Sequence, residues 1–194
     1  MEGYLLMKKS AEKADEYIKK YNVERKRPRS GRFLGEVAVF EGRYDEAVRQ
    51  FEKSVRLFEK MENWTDRVNA LELRGFLAEA MILSGEPERG VAIARKAFLD
   101  YDKGDGALLR ENDYYTWAVW KSGCVTKTWH ALLAKDIPLN KDLVVGMKDM
   151  LIDAENLLVI PAGQQTWGDR NFSFRKQEIA SIKEGMKRHG YQVE

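Results

Sequence analysis

Cys124 and His130 are the side chains in this sequence whose chemistry most resembles that of a nucleophile and a base, and they stand six positions apart. Six residues correspond to about 240° of rotation on a helix, so one helix would not present the two within hydrogen-bond reach. Cys124 therefore reads as a small, buried apolar residue. His130 and His189 are the only histidines, too few for a histidine metal site, and a single thiol cannot build a thiolate zinc cage. The glycine-containing stretches "SGR" and "KGDG" lack the spacing and the lysine of a phosphate loop. The sequence assigns no catalytic residue, metal ligand or cofactor, so an enzyme is not expected. Glu36 and Glu79 would lie near one another if their helices were neighbours, and they otherwise read as solvated helix charges.

Two local deviations in composition could bind something. Residues 19–32, "KKYNVERKRPRSGR", hold seven Lys or Arg against Glu24, a local charge of +6 that leaves about −4 for the rest of the chain. Arg25, Lys26, Arg27 and Arg29 form a candidate phosphate-contacting patch with a steep salt dependence. The competing reading is a solvated loop between helices, held by acids on its neighbours. The second deviation is "DYYTWAVWKSGCVTKTWHALL", one aromatic helix carrying Tyr114, Trp117 and Trp120. A helix apolar on both sides is a central core element, and the alternative is an aromatic binding surface anchored by those three residues.

The elements that position these residues follow from a repeat. Shifting the sequence by 43 places Leu34 on Leu77, Gly35 on Ala78, Glu36 on Glu79, Val39 on Ile82 and Gly42 on Gly85 without a gap. Residues 43–62 carry Tyr44, Ala47, Val48, Phe51, Val55, Phe58 and Met61 on one stripe of helical spacing. The run "LGEVAVF" before it is then the first helix of a hairpin closed at Gly42. Gly35 and Ala78 are expected where helices approach closely, and Gly42 and Gly85 where the backbone turns left-handed. The register predicts like environments for Leu34 and Leu77, with no strand between them.

On these residues the chain resembles the tetratricopeptide repeat family. Leu34 with Gly35 matches the Leu-small pair of the family's first helix, and Ala47 with Phe51 matches the Ala and aromatic of its second. The second copy keeps Leu77 and Ala78 but has Gly90 and Ala94 in place of the Ala and aromatic. The family's Trp is replaced by Gly31 and Arg74, and its Tyr by Ala38 and Met81. A period of 43 also exceeds the usual 34. The extra residues predict roughly 13 Å of added helix length around "ENWTD". The resemblance covers residues 30–103.

The expected fold is all-α: antiparallel helix pairs stacked as a tetratricopeptide-like right-handed superhelix in one domain over 1–194. Its parts are a capping helix and basic loop over 3–28, repeats over 30–62 and 65–103, and a degenerate pair over 112–159. A loop and capping helix over 160–194 close the chain. The resemblance implies that the first helix of each pair lines a concave groove. Groove-facing positions are then Arg29, Arg32, Glu36, Val39, Glu72, Glu79 and Ile82.

The totals limit the functions open to such a fold. Among 194 residues, 33 Lys plus Arg balance 31 Asp plus Glu, so overall charge directs the chain to neither nucleic acid nor anionic membrane. The N-terminal apolar group Tyr4, Leu5, Leu6 and Met7 is too short for a signal peptide or a membrane span, and one cysteine fits a reducing cytoplasm. The expected function is an interaction module that holds a peptide or helix of another protein in the groove. The alternative is nucleic-acid binding through 19–32, and self-association into a homo-oligomer is a further possibility. Loop 161–171, "PAGQQTWGDRN", receives no assignment.

Overall fold

Glycines at the hairpin turns set the connectivity. In the computed structural model, which describes residues 2–23, 26–135, 141–162 and 171–191, Gly42 has φ 75° and Gly85 φ 99°, the left-handed conformation expected of both. Each glycine follows a helix and folds the next one back upon it. The helices are α1 (Glu2–Tyr21), α2 (Arg27–Phe40), α3 (Tyr44–Phe58), α4 (Trp64–Arg67), α5 (Asn69–Leu83), α6 (Pro87–Asp100), α7 (Gly104–Asn112), α8 (Tyr114–Ala134), α9 (Lys141–Asn156) and α10 (Ser173–Arg188). Among the described residues there is no strand, so the chain is all-α.

Helix α3 shows why hairpins form. Its apolar stripe buries Ala47, Phe51, Val55 and Phe58 against α2 and α5, with Asp45 and Glu46 in the first turn where the helix dipole favours acids. A fully buried side chain such as Phe51 is worth about 2 kcal/mol of hydrophobic free energy. The close approach expected at Gly35 is present: a Cβ there would meet the Phe51 ring at 2.4 Å. In the second hairpin the tight contact has moved to the other helix, where a Cβ on Gly90 would meet the Ala78 carbonyl oxygen at 2.6 Å.

Hairpins α2–α3 and α5–α6 are followed by α8, which packs on α5 and α6 and also carries α7, α9 and α10. One apolar cluster lies around α3 and α5 (Phe51, Phe58, Leu73, Met81), and a larger one surrounds α8 (Trp117, Trp129, Leu132, Met147, Leu151). Helix α1 packs on α2, with Tyr4 stacked on Phe40 at 4.1 Å and Lys8 donating to Glu41 at 2.6 Å. Lys8, Tyr4 and Arg43, all donating to Glu41, pull its carboxyl down to about 2.

Several expectations need correction. The residues beyond the usual period do not lengthen helices, because α2, α3, α5 and α6 have 14, 15, 15 and 14 residues. They form connections instead, occupied by α4 and, after the second hairpin, by α7. Most of the basic stretch is helical: Lys19 and Lys20 end α1, and Arg27, Arg29 and Arg32 lie in α2, whose first turn has no acid. Arg25 and most of loop 161–171 lie outside the described residues. Leu34 is half-buried whereas Leu77 is 6% exposed, since α5 is flanked by α3 and α8 while α2 has only α1 on its outer side.

Candidate functional site

Helix α5 has no polar face of its own, yet it places Glu72, Phe76 and Glu79 at helical spacing on the side that looks between α2 and α8. Opposite it, α2 offers Arg32 and Glu36, and α8 offers Trp120 and Lys127. Helix α10 adds Phe174, Arg175 and Glu178. Two cavities adjoin on this face and share Arg32, Glu72 and Trp120 as lining; Glu36, Glu79 and Glu178 stand beside them and line neither.

The larger cavity, about 420 Å³, lies between α2 and α5 and is walled by Phe33, Phe58, Trp64, Leu109 and Trp120, with Arg29 and Arg32 also lining it. It exists because α2 and α5 meet only sparsely, whereas α3 packs firmly on α5 behind them. The smaller cavity, about 180 Å³, is bounded by α5, α8 and α10.

Charge along the groove is mixed and partly shielded. The Arg32 Nε donates to Glu36 Oε1 at 2.9 Å, and its Nη1 lies 3.1 Å from Glu72 Oε2. That second contact is an ion pair without hydrogen-bond geometry, so Glu72 Oε2 is a buried oxygen with no donor. Burial pushes the Glu72 carboxyl up, against Arg32 and Lys127. Glu79 is pushed up to about 7, first by burial, with Glu36 and Glu178 adding and Lys127 opposing. Among the described residues Glu79 makes no hydrogen bond or ion pair. The Lys127 ammonium lies 4.3 Å from the Phe76 ring centre, a cation–π contact.

Arg175 is the charged group most withdrawn from water on this face, its side chain 7% exposed. It donates to Thr126 Oγ1 at 2.7 Å and the Val119 carbonyl at 3.0 Å, and pairs with Glu178. Burial lowers His130 and raises the Cys124 thiol to about 12, so thiolate does not form near neutrality. The perturbed acid that catalysis would require is present at Glu79, but among the described residues no second titrating group is hydrogen-bonded to it.

Of the groove positions expected from sequence, Arg29, Arg32, Glu36, Glu72 and Glu79 all retain exposed surface on or beside this face, and four of them interact. Arg29 pairs loosely with Asp66 at 3.8 Å. Ile82 is 0% exposed and belongs to the core around α8, so it offers nothing to a ligand; Val39 is half-buried against the other cluster. The aromatic surface also divides. Trp117 is 1% exposed, its indole donating to the Tyr101 carbonyl at 2.9 Å, and Tyr114 is half-buried with its hydroxyl on the Leu157 carbonyl. Trp120 alone of the three lines the groove.

Trp64, Phe76, Lys127, Phe174, Arg175 and Glu178 were not expected. A signal existed for two of them: Phe76 follows Glu72 by four, and Lys127 follows Trp120 by seven, the spacings of one helical face. Among the described residues, no helix is long and apolar enough to cross a membrane, and no group of three or more His, Cys, Asp or Glu could hold a metal ion. No protein family, curated protein or solved structure matches the chain.

Proposed function

We propose that this chain is a cytoplasmic protein–protein interaction module, a tetratricopeptide-like stack whose helix pairs curve as a right-handed superhelix around the groove. The pairing of consecutive helices across Gly42 and Gly85, with α2, α5 and α8 on one side, supports that reading. The observation that carries the function is the pair of cavities adjoining at Arg32, Glu72 and Trp120, together too large for one side chain and walled by aromatic residues. Such walls supply desolvated anchors, on which affinity depends more than on contact area.

The occupant is an extended segment of another protein with an apolar side chain next to a basic one. The apolar side chain enters between Trp64 and Trp120, and the basic one approaches Glu79, Glu36 and Glu178. A cation there would stabilise the Glu79 carboxylate, so binding would release a proton and strengthen as pH rises through about 7. The test is selection from a displayed random-peptide library, followed by titration of winning peptides against the chain and its Glu36→Lys/Glu79→Lys variant. Enrichment of basic–apolar pairs, and at least about tenfold weaker binding to the variant, is expected. Absence of enrichment, or equal binding to both, contradicts the proposal.

A further inference from the structure

The smaller cavity has a chemistry of its own, independent of any peptide in the rest of the groove. Its walls are the rings of Phe76, Trp120 and Phe174, and three cations line it: Arg32, Lys127 and Arg175. Its volume is about 180 Å³. An apolar cavity of roughly 150 Å³ admits benzene, so one aromatic ring with a short acidic group is the size that fits.

The cations are unequally satisfied. Arg32 is engaged by Glu36 and Glu72. Among the described residues Lys127 has no carboxylate within ion-pair distance, and its ammonium rests over the Phe76 ring. Arg175 is 6% exposed and already paired with Glu178, its terminal nitrogens also donating to Thr126 and the Val119 carbonyl while its Nε has no hydrogen-bond partner. Lys127 is thus the cation left for an entering carboxylate, which a charge-assisted hydrogen bond would hold. Glu72, the one carboxylate lining the cavity, faces a second negative charge unfavourably, so a monoanion is preferred over a phosphate dianion.

We propose that the cavity between α5, α8 and α10 binds a monocarboxylate bearing a single aromatic ring, its carboxylate on Lys127 and Arg175 and its ring among Phe76, Trp120 and Phe174. Two sources share that chemistry: a free arylacetic-type acid, and the last residue of a peptide ending in Phe.

The experiment is calorimetric titration of the full chain with phenylacetate and with its neutral isostere phenylacetamide, which needs no variant. The acid is expected to bind at least about tenfold tighter, the value of one charge-assisted hydrogen bond. Lys127→Met is expected to weaken phenylacetate by a similar factor and Lys127→Arg to restore it. The peptide Ala-Ala-Phe and its C-terminal amide form the second arm. Binding of phenylacetate alone assigns the site to free acids, and binding of the peptide acid but not its amide assigns it to chain ends. Equal affinity for acid and amide, indifference to Lys127→Met, or no heat from any probe up to about 10 mM overturns the proposal. None of these outcomes bears on library peptides held at Glu36 and Glu79, so the two readings fail separately.

Discussion

The two seams that α5 makes with its neighbours are built differently. Against α8 its backbone approaches closely: a Cβ on Gly75 would lie 3.1 Å from Cys124 Sγ and 3.2 Å from Cys124 Cα. Against α2 it stands off, leaving the 420 Å³ cavity. In the 43-residue register the position equivalent to Gly75 is Arg32. One copy of the repeat thus places no side chain at the seam, and the other places a guanidinium that reaches across to Glu72. Helices separate by the length of what lies between them. A repeated backbone can therefore carry one closed joint and one open one, and only the open one is available to a partner.

The sharpest way to break this contrast is to remove one tryptophan from the closed core around α8 and one from the open cavity. Trp117, a fully buried residue of α8 whose indole donates to the Tyr101 carbonyl, is expected to cost about 3–5 kcal/mol when changed to Ala. Trp64, half-buried at the edge of the open cavity, is expected to cost less than half as much, as read from urea denaturation midpoints. Equal losses would mean that the core around α8 and the edge of the open cavity are packed alike.

A smaller effect sits on Glu79. Its folded value of about 7 stands above the ordinary 4.5, so the native chain holds the proton more tightly than the unfolded one. The stabilisation is fully present below about pH 4.5 and is lost as pH rises through about 7, with a slope of at most about 1.4 kcal/mol per pH unit. Stability measured between those limits should fall with pH in the wild type and flatten in Glu79→Gln. The smallest effect belongs to the basic segment. Changing Lys26 and Arg29 to Gln should alter stability by under about 0.5 kcal/mol, because both are exposed. If the same change abolished a steeply salt-dependent affinity for nucleic acid, the groove would no longer be the principal binding surface.

Much of the scaffold was legible in the sequence because it rests on local rules. The stripe from Tyr44 to Phe58, the turns at Gly42 and Gly85, and the close approach at Gly35 each follow from period, φ or size, whereas Met61 falls beyond the end of α3. Helices α4 and α7 were not legible, since both are short and carry no periodic stripe that marks them apart from a loop. The groove was half legible. Glu72 and Glu79 were expected through the family register, but Ile82 turned inward because α5 is buried on most of its circumference. Lys127 and Arg175 lie on helices read as core and cap, and their meeting with Glu72 depends on tertiary packing that no single helix encodes.

The account turns on whether Gly75 closes one seam while Arg32 holds the other open, and reciprocal exchange tests that most directly. Urea denaturation of Gly75→Arg should show the loss of several kcal/mol or of a cooperative transition, whereas Arg32→Gly should lose about 2 kcal/mol, the propensity cost of glycine plus the partly exposed ion pairs to Glu36 and Glu72. Equal losses from the two exchanges, or a Gly75→Arg chain as stable as the wild type, would contradict it.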